Sequence, residues 1–390
     1  MKKYKVQVIM VSGQPTPNML PMLDKEIRPE KIIMLTSAGM QEKAEQIEAF
    51  CARKHIKTER IDIDAYNTDS IEQTILELLE NNSEEDIALN ITGGTKIMAI
   101  IAQEIFRQYD KPVFYINIEN DSIIELPNHM QARSTISTFN PRLKINDLLV
   151  MHNWEEEIRQ KPKPLEGGRA EYVSQLVARI TEKNFSLAIG TLNSYATTAK
   201  DRKKQEITID AADSDKKSFT ALLQLAMDAG LIEHRSEPFD TIRFCTEEDR
   251  EFICGGWLEH HIFDEIRKLR GKIGISDEAM NLKVKSSKET SNELDVAFIA
   301  QNQLYVIECK TANLKHKDRD IKQTKGTEAI YKLDAIAEKL GGMRTNTMLV
   351  SYRKIGDADK KRAAQYNIKL LYPENFHRLG EVLTEWVKKK

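Results

Sequence analysis

Three charged side chains in the segment ELDVAFIAQNQLYVIECK have the types and spacing of a metal site. Glu308 and Lys310 end an apolar strand and project from the same face, because side chains alternate along a strand. Asp295 lies thirteen positions before Glu308, on the strand that precedes a QNQ turn, so a hairpin would bring the two carboxylates together. We therefore predict that Asp295, Glu308 and the backbone carbonyl of Cys309 bind Mg²⁺ or Mn²⁺.

A site of this kind serves the hydrolysis of phosphodiesters. A bound divalent ion lowers the pKa of its water and neutralises charge in the transition state, and the ammonium of Lys310 adds positive charge beside the scissile phosphate. Glu259, on a predicted helix ahead of the strands, is a further candidate catalytic residue, and Glu293 is another candidate carboxylate near Asp295. The alternative is a chance Glu-x-Lys tripeptide that forms only a surface salt bridge.

A second polar cluster, NITGGTKIM at residues 90–98, places two glycines between a predicted strand and a predicted helix. Backbone N–H groups at a helix N-terminus attract anions, and glycines let a ligand approach closely. The loops SGQPTPN and TS, after the first and second strands, would meet this turn at the carboxyl ends of the strands. Walker A and G-x-G-x-x-G sequences are absent there, which disfavours ATP hydrolysis and NAD binding. The alternative is a tight turn with a Thr N-cap.

The elements that must position these residues follow three patterns along the chain. From residue 4 to 126, β-rich runs alternate with helical segments, which indicates a parallel, doubly wound α/β sheet with an edge strand at SIIELP. After the linker-like KPKPLEGG, two helices and a β-ribbon predict either a winged-helix-like unit or a plain helical spacer, with Gly230 ending the second helix. The last unit has a helix FICGGWLEHHIFDEIRKL, a meander of three strands, a helix AIYKLDAIAEKLGG and a strand TMLVSY. The predicted domains are 1–145, 146–250 and 251–390.

Composition limits the class of protein and its compartment. The 390 residues hold 58 Lys and Arg against 60 Asp and Glu, a net charge of −2, so a nucleic-acid partner would meet local basic patches. The cysteines lack a C-x-x-C pair, which disfavours a disulfide framework or a zinc site and fits a reducing cytoplasm. They are Cys51, Cys245, Cys254 and Cys309. Signal-peptide and membrane-spanning patterns are absent, so we expect a cytoplasmic protein with no membrane partner.

Two sets of residues carry a resemblance to known families. The order Glu259, Asp295, Glu308-Cys309-Lys310 resembles the PD-(D/E)XK nuclease superfamily over the last third of the chain, with Leu294 in place of the nominal proline. SGQPTPN and TGGTK resemble the CARF family, the CRISPR-associated Rossmann folds that sense cyclic oligoadenylates. The whole chain resembles the CARF and PD-(D/E)XK fusion effectors of type III CRISPR systems.

This resemblance implies a ligand, an assembly and a set of binding residues. It implies a homodimer with Rossmann-like CARF domains that enclose one cyclic oligoadenylate, most often cyclic tetra-adenylate, and restriction-endonuclease-like domains that then cut nucleic acid. The implied ligand-binding residues are Ser12, Gln14, Asn18, Thr36, Thr92, Gly93, Gly94, Thr95 and Lys96.

These observations predict an allosteric nuclease that a cyclic oligoadenylate activates. It would cut DNA, RNA or both, with single strands lying along the basic stretch Leu314–Gly326; the alternative for that stretch is a solvated charged face. Two other classes of function remain open. One is a ligand-responsive regulator without catalysis, whose middle domain binds duplex DNA. The other is a constitutive repair or restriction endonuclease, whose first domain is only structural.

Overall fold

The chain folds into two compact units. The first unit ends at Glu155, and the second unit begins at Glu156. The computed structural model describes residues 3–83, 85–128, 133–160, 162–236, 240–286, 291–311, 324–340 and 344–388. In this part of the chain no helix is both long and apolar enough to cross a bilayer. The second unit contains the predicted middle and C-terminal domains together, and the predicted limits of three domains stay a prediction.

The first unit is built on one sheet of seven strands. These are β1 Val6–Met10, β2 Lys31–Thr36, β3 Lys57–Asp62, β4 Ile87–Asn90, β5 Val113–Asn117, β6 Ser122–Glu125 and β7 Thr135–Thr138. Their order is β3-β2-β1-β4-β5-β6-β7, with β1 to β5 parallel and β6 and β7 antiparallel. The predicted doubly wound α/β sheet is confirmed, and SIIELP forms a hairpin strand with β5 as predicted. Its predicted position at the edge was wrong, because β7 pairs on the outer side of β6. The order reverses direction between β1 and β4, and ligands bind where the loops diverge at such a point.

Helices pack against this sheet through apolar faces. They are α1 Thr16–Met19, α2 Gln41–Arg53, α3 Thr68–Asn81, α4 Lys96–Gln108 and α5 Ile145–Met151. Helix α4 buries Met98, Ala102, Ile105 and Phe106, which recur at helical spacing and join the core formed by the strands. Thr95 is its N-cap, since its hydroxyl accepts a hydrogen bond from the N–H of Met98.

One strand crosses the boundary at Glu155, and a group of helices and short strands of the second unit follows it. They are β8 Trp154–Ile158, α6 Gly167–Arg179, α7 Lys183–Asp201, β9 Glu206–Thr208, α8 Ala211–Ser214, α9 Lys217–Asp228, β10 Ile232–Arg235 and β11 Thr241–Phe244. Strand β11 pairs with both β10 and β9, and Gly230 follows α9 with a φ of +69°, as its predicted role requires. From α7 onwards, the order of a helix, a strand, two helices and a hairpin favours the winged-helix-like alternative over a plain spacer.

The remaining elements form a six-stranded mixed sheet with helices. They are α10 Glu247–Glu251, α11 Trp257–Ile273, β12 Ile275–Ser286, β13 Ser291–Ala300, β14 Gln303–Lys310, α12 Lys325–Leu340, β15 Thr345–Ser351, α13 Asp357–Gln365, β16 Lys369–Leu371 and α14 Leu379–Lys388. The sheet order is β16-β15-β14-β13-β12-β8, so β12, β13 and β14 form the predicted meander. Gln301 and Asn302, with φ of 49° and 54°, make the tight turn between β13 and β14.

The helix predicted from FICGGWLEHHIFDEIRKL is interrupted, and in this respect the prediction was wrong. Phe252–Gly256 form a π-helical turn in which Gly255 has a φ of +157°, and α11 begins at Trp257. A side chain cannot adopt this backbone conformation readily, and a Cβ at Gly255 would lie 2.6 Å from Thr311 Oγ1. The interruption sets the start of α11, and therefore the position of Glu259 in its first turn.

One hydrophobic core joins the winged-helix-like part to the mixed sheet. It includes Leu192 and Ala196 of α7, Trp257 and Ile262 of α11, and Ile307 of β14 among its buried side chains. Because these residues share one core, α7 and the strands of the mixed sheet are held in a fixed relation.

Candidate functional site

The hairpin of β13 and β14 brings Asp295 and Glu308 together, as the sequence predicts. The paired register ends with Val296 opposite Ile307, and Asp295 and Glu308 are the next residues of the two strands. The backbone N–H of Cys309 donates a hydrogen bond of 2.7 Å to Asp295 Oδ2. The carboxyl end of β14 therefore has the Asp295 carboxylate beside it.

Two ammonium groups contact the Glu308 carboxylate, which is only 1% exposed. Lys310 Nζ lies 2.6 Å from Glu308 Oε1 and 3.9 Å from Asp295 Oδ2. Lys332 Nζ, from α12, lies 2.9 and 2.7 Å from the two Glu308 oxygens. Sequence reasoning missed Lys332; its signal is a lysine that directly precedes the buried Leu333 in the apolar pattern of α12.

The carboxylate of Glu259 completes an acidic cluster with Asp295. Burial, and then the negative charge of Asp295, raise the pKa of Glu259 to about 7, against the effect of Lys310. Burial, and then Glu308, raise the pKa of Asp295 to about 6, against the effects of Lys310 and Lys332. Burial alone would lower the pKa of Lys310, but Glu308 and Asp295 raise it above its ordinary value. The two lysines therefore do not fully compensate the negative charge of the three carboxylates. An excess of negative charge of this kind favours the binding of a cation.

The donors present fit a hard divalent ion. In an extended strand the N–H and C=O of one residue point to the same side, so the Cys309 carbonyl faces the same side as its N–H, towards Asp295. The Cys309 thiol is on the other face, in the hydrophobic core, and burial raises its pKa well above its ordinary value. Within the described ranges, no three His, Cys, Asp and Glu side chains are placed to hold an ion. Two carboxylates, one carbonyl and waters are the donor set that remains, which Mg²⁺ and Mn²⁺ accept.

The sequence also predicts Glu293 and a basic stretch near this site, and the structure does not place Glu293 beside the Glu308 carboxylate. Glu293 pairs in register with Lys283 and is exposed at the solvent end of β13. Most of the basic stretch Leu314–Gly326 lies outside the described residues. The catalytic and metal-binding roles of Glu259, Asp295, Glu308, Lys310 and Cys309 stay predictions.

Replacing Glu259 with glutamine will stabilise the metal-free protein at alkaline pH. The pKa of Glu259 is about 7 when folded and 4.5 as its ordinary value, so the folded state binds more protons between those pH values. Stability therefore falls as pH rises from about 4.5 to 7, and stays lower above that window. Glutamine removes this loss, worth up to about 3 kcal/mol at pH 8 and much less at pH 5.

Urea unfolding in the presence of a chelator, at pH 5 and pH 8, measures the effect of Glu259→Gln. Glu338→Gln, on an exposed position of α12, is the matched control and should change neither value. An equal stability change at both pH values would contradict the raised pKa of Glu259.

A cavity of about 890 Å³ opens in the first unit at the carboxyl ends of the strands. Its lining comes from the loops that follow β1, β2, β3 and β4, where the order of the sheet reverses. The lining residues are Val11, Ser12, Gly13, Thr36, Ser37, Ala38, Gly39, Met40, Gln41, Asp62, Ile63, Asp64, Ala65, Tyr66, Gly94, Thr95 and Met98. This is the place where the sequence predicts the ligand site.

The structure brings four of the nine predicted ligand residues to this cavity. They are Ser12, Thr36, Gly94 and Thr95. Gln14 and Lys96 are exposed outside it. Asn18 is buried and donates to the Met10 carbonyl at 2.9 Å, while the Thr92 hydroxyl donates to Asn90 at 2.6 Å. The ligand-binding roles of all nine stay predictions.

Gly93 and Gly94 let the turn after β4 pack against β1. A Cβ at Gly93 would lie 2.1 Å from the Met10 carbonyl oxygen, and Gly94 has a φ of +75°. This turn places Thr95 at the start of α4. The Thr95 hydroxyl also donates a hydrogen bond of 3.1 Å to the Ala65 carbonyl. The two glycines are therefore needed for backbone approach at the rim of the cavity.

Sequence reasoning missed the contribution of the loop after β3. Tyr66 is 75% exposed beside the cavity, and Asp62 and Asp64 also line it. An exposed tyrosine can stack on a planar base, and carboxylates accept hydrogen bonds from hydroxyl or amino groups. The sequence signal for this loop is DAYN directly after the third strand. Ligands bind at the carboxyl ends of parallel strands, so this loop is expected at the site like the loops after the other strands.

Two family models match separate parts of the chain. The Card1 CARF domain matches residues 6–147, and the Card1-like endonuclease domain matches residues 246–390. The chain therefore carries a Card1 CARF domain followed by a Card1-like endonuclease domain. The resemblance of the sequence to CARF nucleases is confirmed by both matches. The CARF match lies in the first unit, and the hairpin with Asp295 and Glu308 lies in the part that matches the endonuclease domain.

Solved structures share the fold of this CARF endonuclease over nearly its whole length. Protein VC1899 from Vibrio cholerae has a TM-score of 0.85 and 25% identity, with 98% of each chain covered. Can2 from Sulfobacillus thermosulfidooxidans, in complex with cyclic tetra-adenylate, has a TM-score of 0.78 and 24% identity, over 98% of this chain and 97% of Can2. A type III CRISPR defence DNA nuclease activated by cyclic oligoadenylate has a TM-score of 0.55 and 14% identity, over 91% of this chain and 46% of its own. No curated protein matches the sequence.

Proposed function

We propose that this chain is a metal-dependent endonuclease that cyclic oligoadenylate activates in type III CRISPR defence. The observation that carries the proposal is the convergence of Asp295, Glu308 and Lys310 in a domain that matches an endonuclease family. The complex of Can2 with cyclic tetra-adenylate supports that molecule as the activator. The substrate would be DNA, RNA or both, and the compartment the cytoplasm.

The side chains of the endonuclease domain have distinct roles in this proposal. Asp295, Glu308 and the Cys309 carbonyl would hold Mn²⁺ or Mg²⁺, which supplies Lewis acidity and charge neutralisation when bound. Lys310 is 2.6 Å from Glu308 and would orient that carboxylate and stabilise negative charge on the phosphate. Burial raises the pKa of Glu259 to about 7 in the metal-free site, and this carboxyl group is suited to exchange a proton there.

Lys332→Met will tighten the binding of Mn²⁺. Lys332 holds both oxygens of Glu308, so its ammonium competes with a cation for the same carboxylate. Removing one charge next to the site should lower the Kd for Mn²⁺ by about tenfold, a change of about 1.4 kcal/mol. Electron paramagnetic resonance of free Mn²⁺ measures the Kd without any turnover.

Lys339→Met, at an exposed position of the same helix, is the control for this substitution. Its Kd for Mn²⁺ should equal that of the parent protein. Weaker Mn²⁺ binding in Lys332→Met would show that Lys332 supports the metal site instead of competing with it.

The first unit offers a surface for the proposed homodimer. Ile97 and Ile100 are 38% and 67% exposed on α4, directly after the turn that borders the cavity. Apolar side chains exposed beside a ligand site favour a subunit contact there. A closed two-fold dimer would present two copies of the cavity to one symmetric ring, as cyclic tetra-adenylate requires.

The activator would act through the equilibrium between inactive and active arrangements. A ligand shifts such an equilibrium only when it binds one arrangement more tightly than the other. The proposal therefore requires that cyclic tetra-adenylate binds the cleavage-competent dimer more tightly than the resting one.

Cleavage of a labelled single strand, in Mn²⁺ with and without cyclic tetra-adenylate, tests the proposed function. We expect cleavage only with the activator, and none for Asp295→Asn. Cleavage that does not depend on the activator would support a constitutive repair or restriction endonuclease. Absence of cleavage for DNA and RNA, together with ligand-dependent binding of duplex DNA, would support a regulator.

A further inference from the structure

A polar groove of about 670 Å³ lies in the second unit, between α7 and the segment that follows β15. Along α7, Thr191, Ser194, Thr198 and Arg202 line it, and they share one face because their spacing is close to whole helical turns. Arg353 lines the opposite side. The groove is therefore a row of hydroxyls with a guanidinium at one end and another across from it.

The groove begins next to the strand that carries the candidate active site. Lys310 pairs in register with Ser351, and the N–H of Tyr352 donates to the Lys310 carbonyl at 2.9 Å. Arg353 is the next residue. The Tyr352 hydroxyl lies 2.9 Å from Ser186 Oγ, which fixes the strand end against α7. Arg353 is therefore two residues beyond the pairing partner of Lys310.

The groove contains two arginines, Arg202 and Arg353. In the described part of the chain, neither guanidinium has a carboxylate within ion-pair distance. Gly190 lets the Arg353 guanidinium lie against α7, since a Cβ there would be 2.1 Å from Arg353 Nη2. Asp210 and Asp213 also line the groove. Asp213 is already held by Lys216 at 2.6 Å and by the Tyr195 hydroxyl at 2.9 Å. The guanidinium groups are therefore available to an external anion.

We propose that this groove binds the sugar-phosphate backbone of single-stranded nucleic acid that enters or leaves the active site. Guanidinium groups form paired hydrogen bonds with phosphate, and hydroxyls are common donors to phosphate oxygens. The Thr191 and Thr198 hydroxyls donate to the carbonyls of Leu187 and Ser194, so the hydroxyl assigned to a phosphate is that of Ser194. The groove is lined by α7 and by the segment from β9 to α8. Helix α9 is the helix that would enter the major groove of a duplex in a winged-helix-like unit, and it does not line the groove. Guanidinium groups along a groove that makes no base contacts hold a single strand independently of its sequence. The inference rests on the proposed nuclease function.

Binding titrations with full-length Glu308→Gln protein test the groove without cleavage. The probe is a fluorescein-labelled single strand, as DNA and as RNA, measured by anisotropy in cyclic tetra-adenylate at several salt concentrations. Adding Arg202→Gln and Arg353→Gln should weaken binding about tenfold and reduce the slope of log K against log salt by about 1.4, the value for two phosphate contacts. Arg202→Lys with Arg353→Lys should keep most of the affinity and the slope.

Two further variants keep the test decisive. Arg267→Gln, at an exposed position of α11, removes one charge elsewhere in the unit and should bind like the parent. Gly190→Ala displaces the Arg353 guanidinium without removing charge, and should weaken binding even if the double glutamine variant unfolds.

Unchanged affinity and salt slope in the folded double glutamine variant would overturn the groove proposal. So would a loss in Arg267→Gln equal to that of the double variant. A different experiment would show that the proposed nuclease function is wrong. In that case wild-type protein with activator and Mn²⁺ would cleave neither DNA nor RNA, whatever the binding titrations show.

Discussion

Glu308→Gln will reduce activated cleavage by about 10³-fold or more, because it removes a charged ligand of the proposed metal ion and the partner of Lys310. The same change leaves Lys310 and Lys332 beside each other without the carboxylate that both contact at 2.6 to 2.9 Å. Breaking a buried charge cluster of this kind costs about 3 kcal/mol. Lost activity and lost stability should therefore appear together.

Two measurements separate these effects. Initial rates with activator and Mn²⁺ report on cleavage, and urea unfolding without metal reports on stability. Glu338→Gln is the control and should change neither. Retained cleavage in a folded Glu308→Gln protein would show that phosphodiester hydrolysis takes place elsewhere. Retained binding of cyclic tetra-adenylate would show that sensing is intact in the variant.

Gly93→Ala will destabilise the first unit by about 3 kcal/mol or more and abolish binding of the activator. The added Cβ would lie 2.1 Å from the Met10 carbonyl oxygen and 3.0 Å from Asn18 Nδ2. The Met10 carbonyl is backbone, and Asn18 is buried and hydrogen bonded to it, so neither group can move without disturbing β1. The turn that carries Gly94 and Thr95 to the cavity would have to shift.

Gly39→Ala is the matched control for Gly93→Ala. Gly39 lines the same cavity, but a Cβ there meets no atom within 4 Å. Its effect on stability should stay within about 0.5 kcal/mol. Thermal unfolding with and without cyclic tetra-adenylate measures both quantities. A Gly93→Ala protein with parental stability and a parental shift on adding ligand would contradict the close approach of the turn to β1.

The sequence predicted best what depends on local pattern. Alternation placed Glu308 and Lys310 on one face, and the QNQ turn fixed the register that brings Asp295 opposite Glu308. Alternating strands and helices predicted the open sheet and the edge at which its cavity lies. Each of these follows from spacing along a single element or a single turn.

The parts that sequence reasoning missed depend on contacts between distant elements. Lys332 is 24 residues from Glu308, and nothing in the helix pattern states which strand its side chain meets. The hydrogen bonds of Asn18 to the Met10 carbonyl and of Thr92 to Asn90 also depend on how the loops fold back on the strands. The interruption at Gly255 depends on its close approach to Thr311, which is distant in sequence.

Anomalous scattering from crystals of the full-length protein soaked in Mn²⁺ tests the central claim most directly. We expect a peak about 2.1 Å from oxygens of both Asp295 and Glu308. A Mn²⁺ peak elsewhere, or none at these carboxylates in protein that cleaves nucleic acid in the same Mn²⁺, would contradict it.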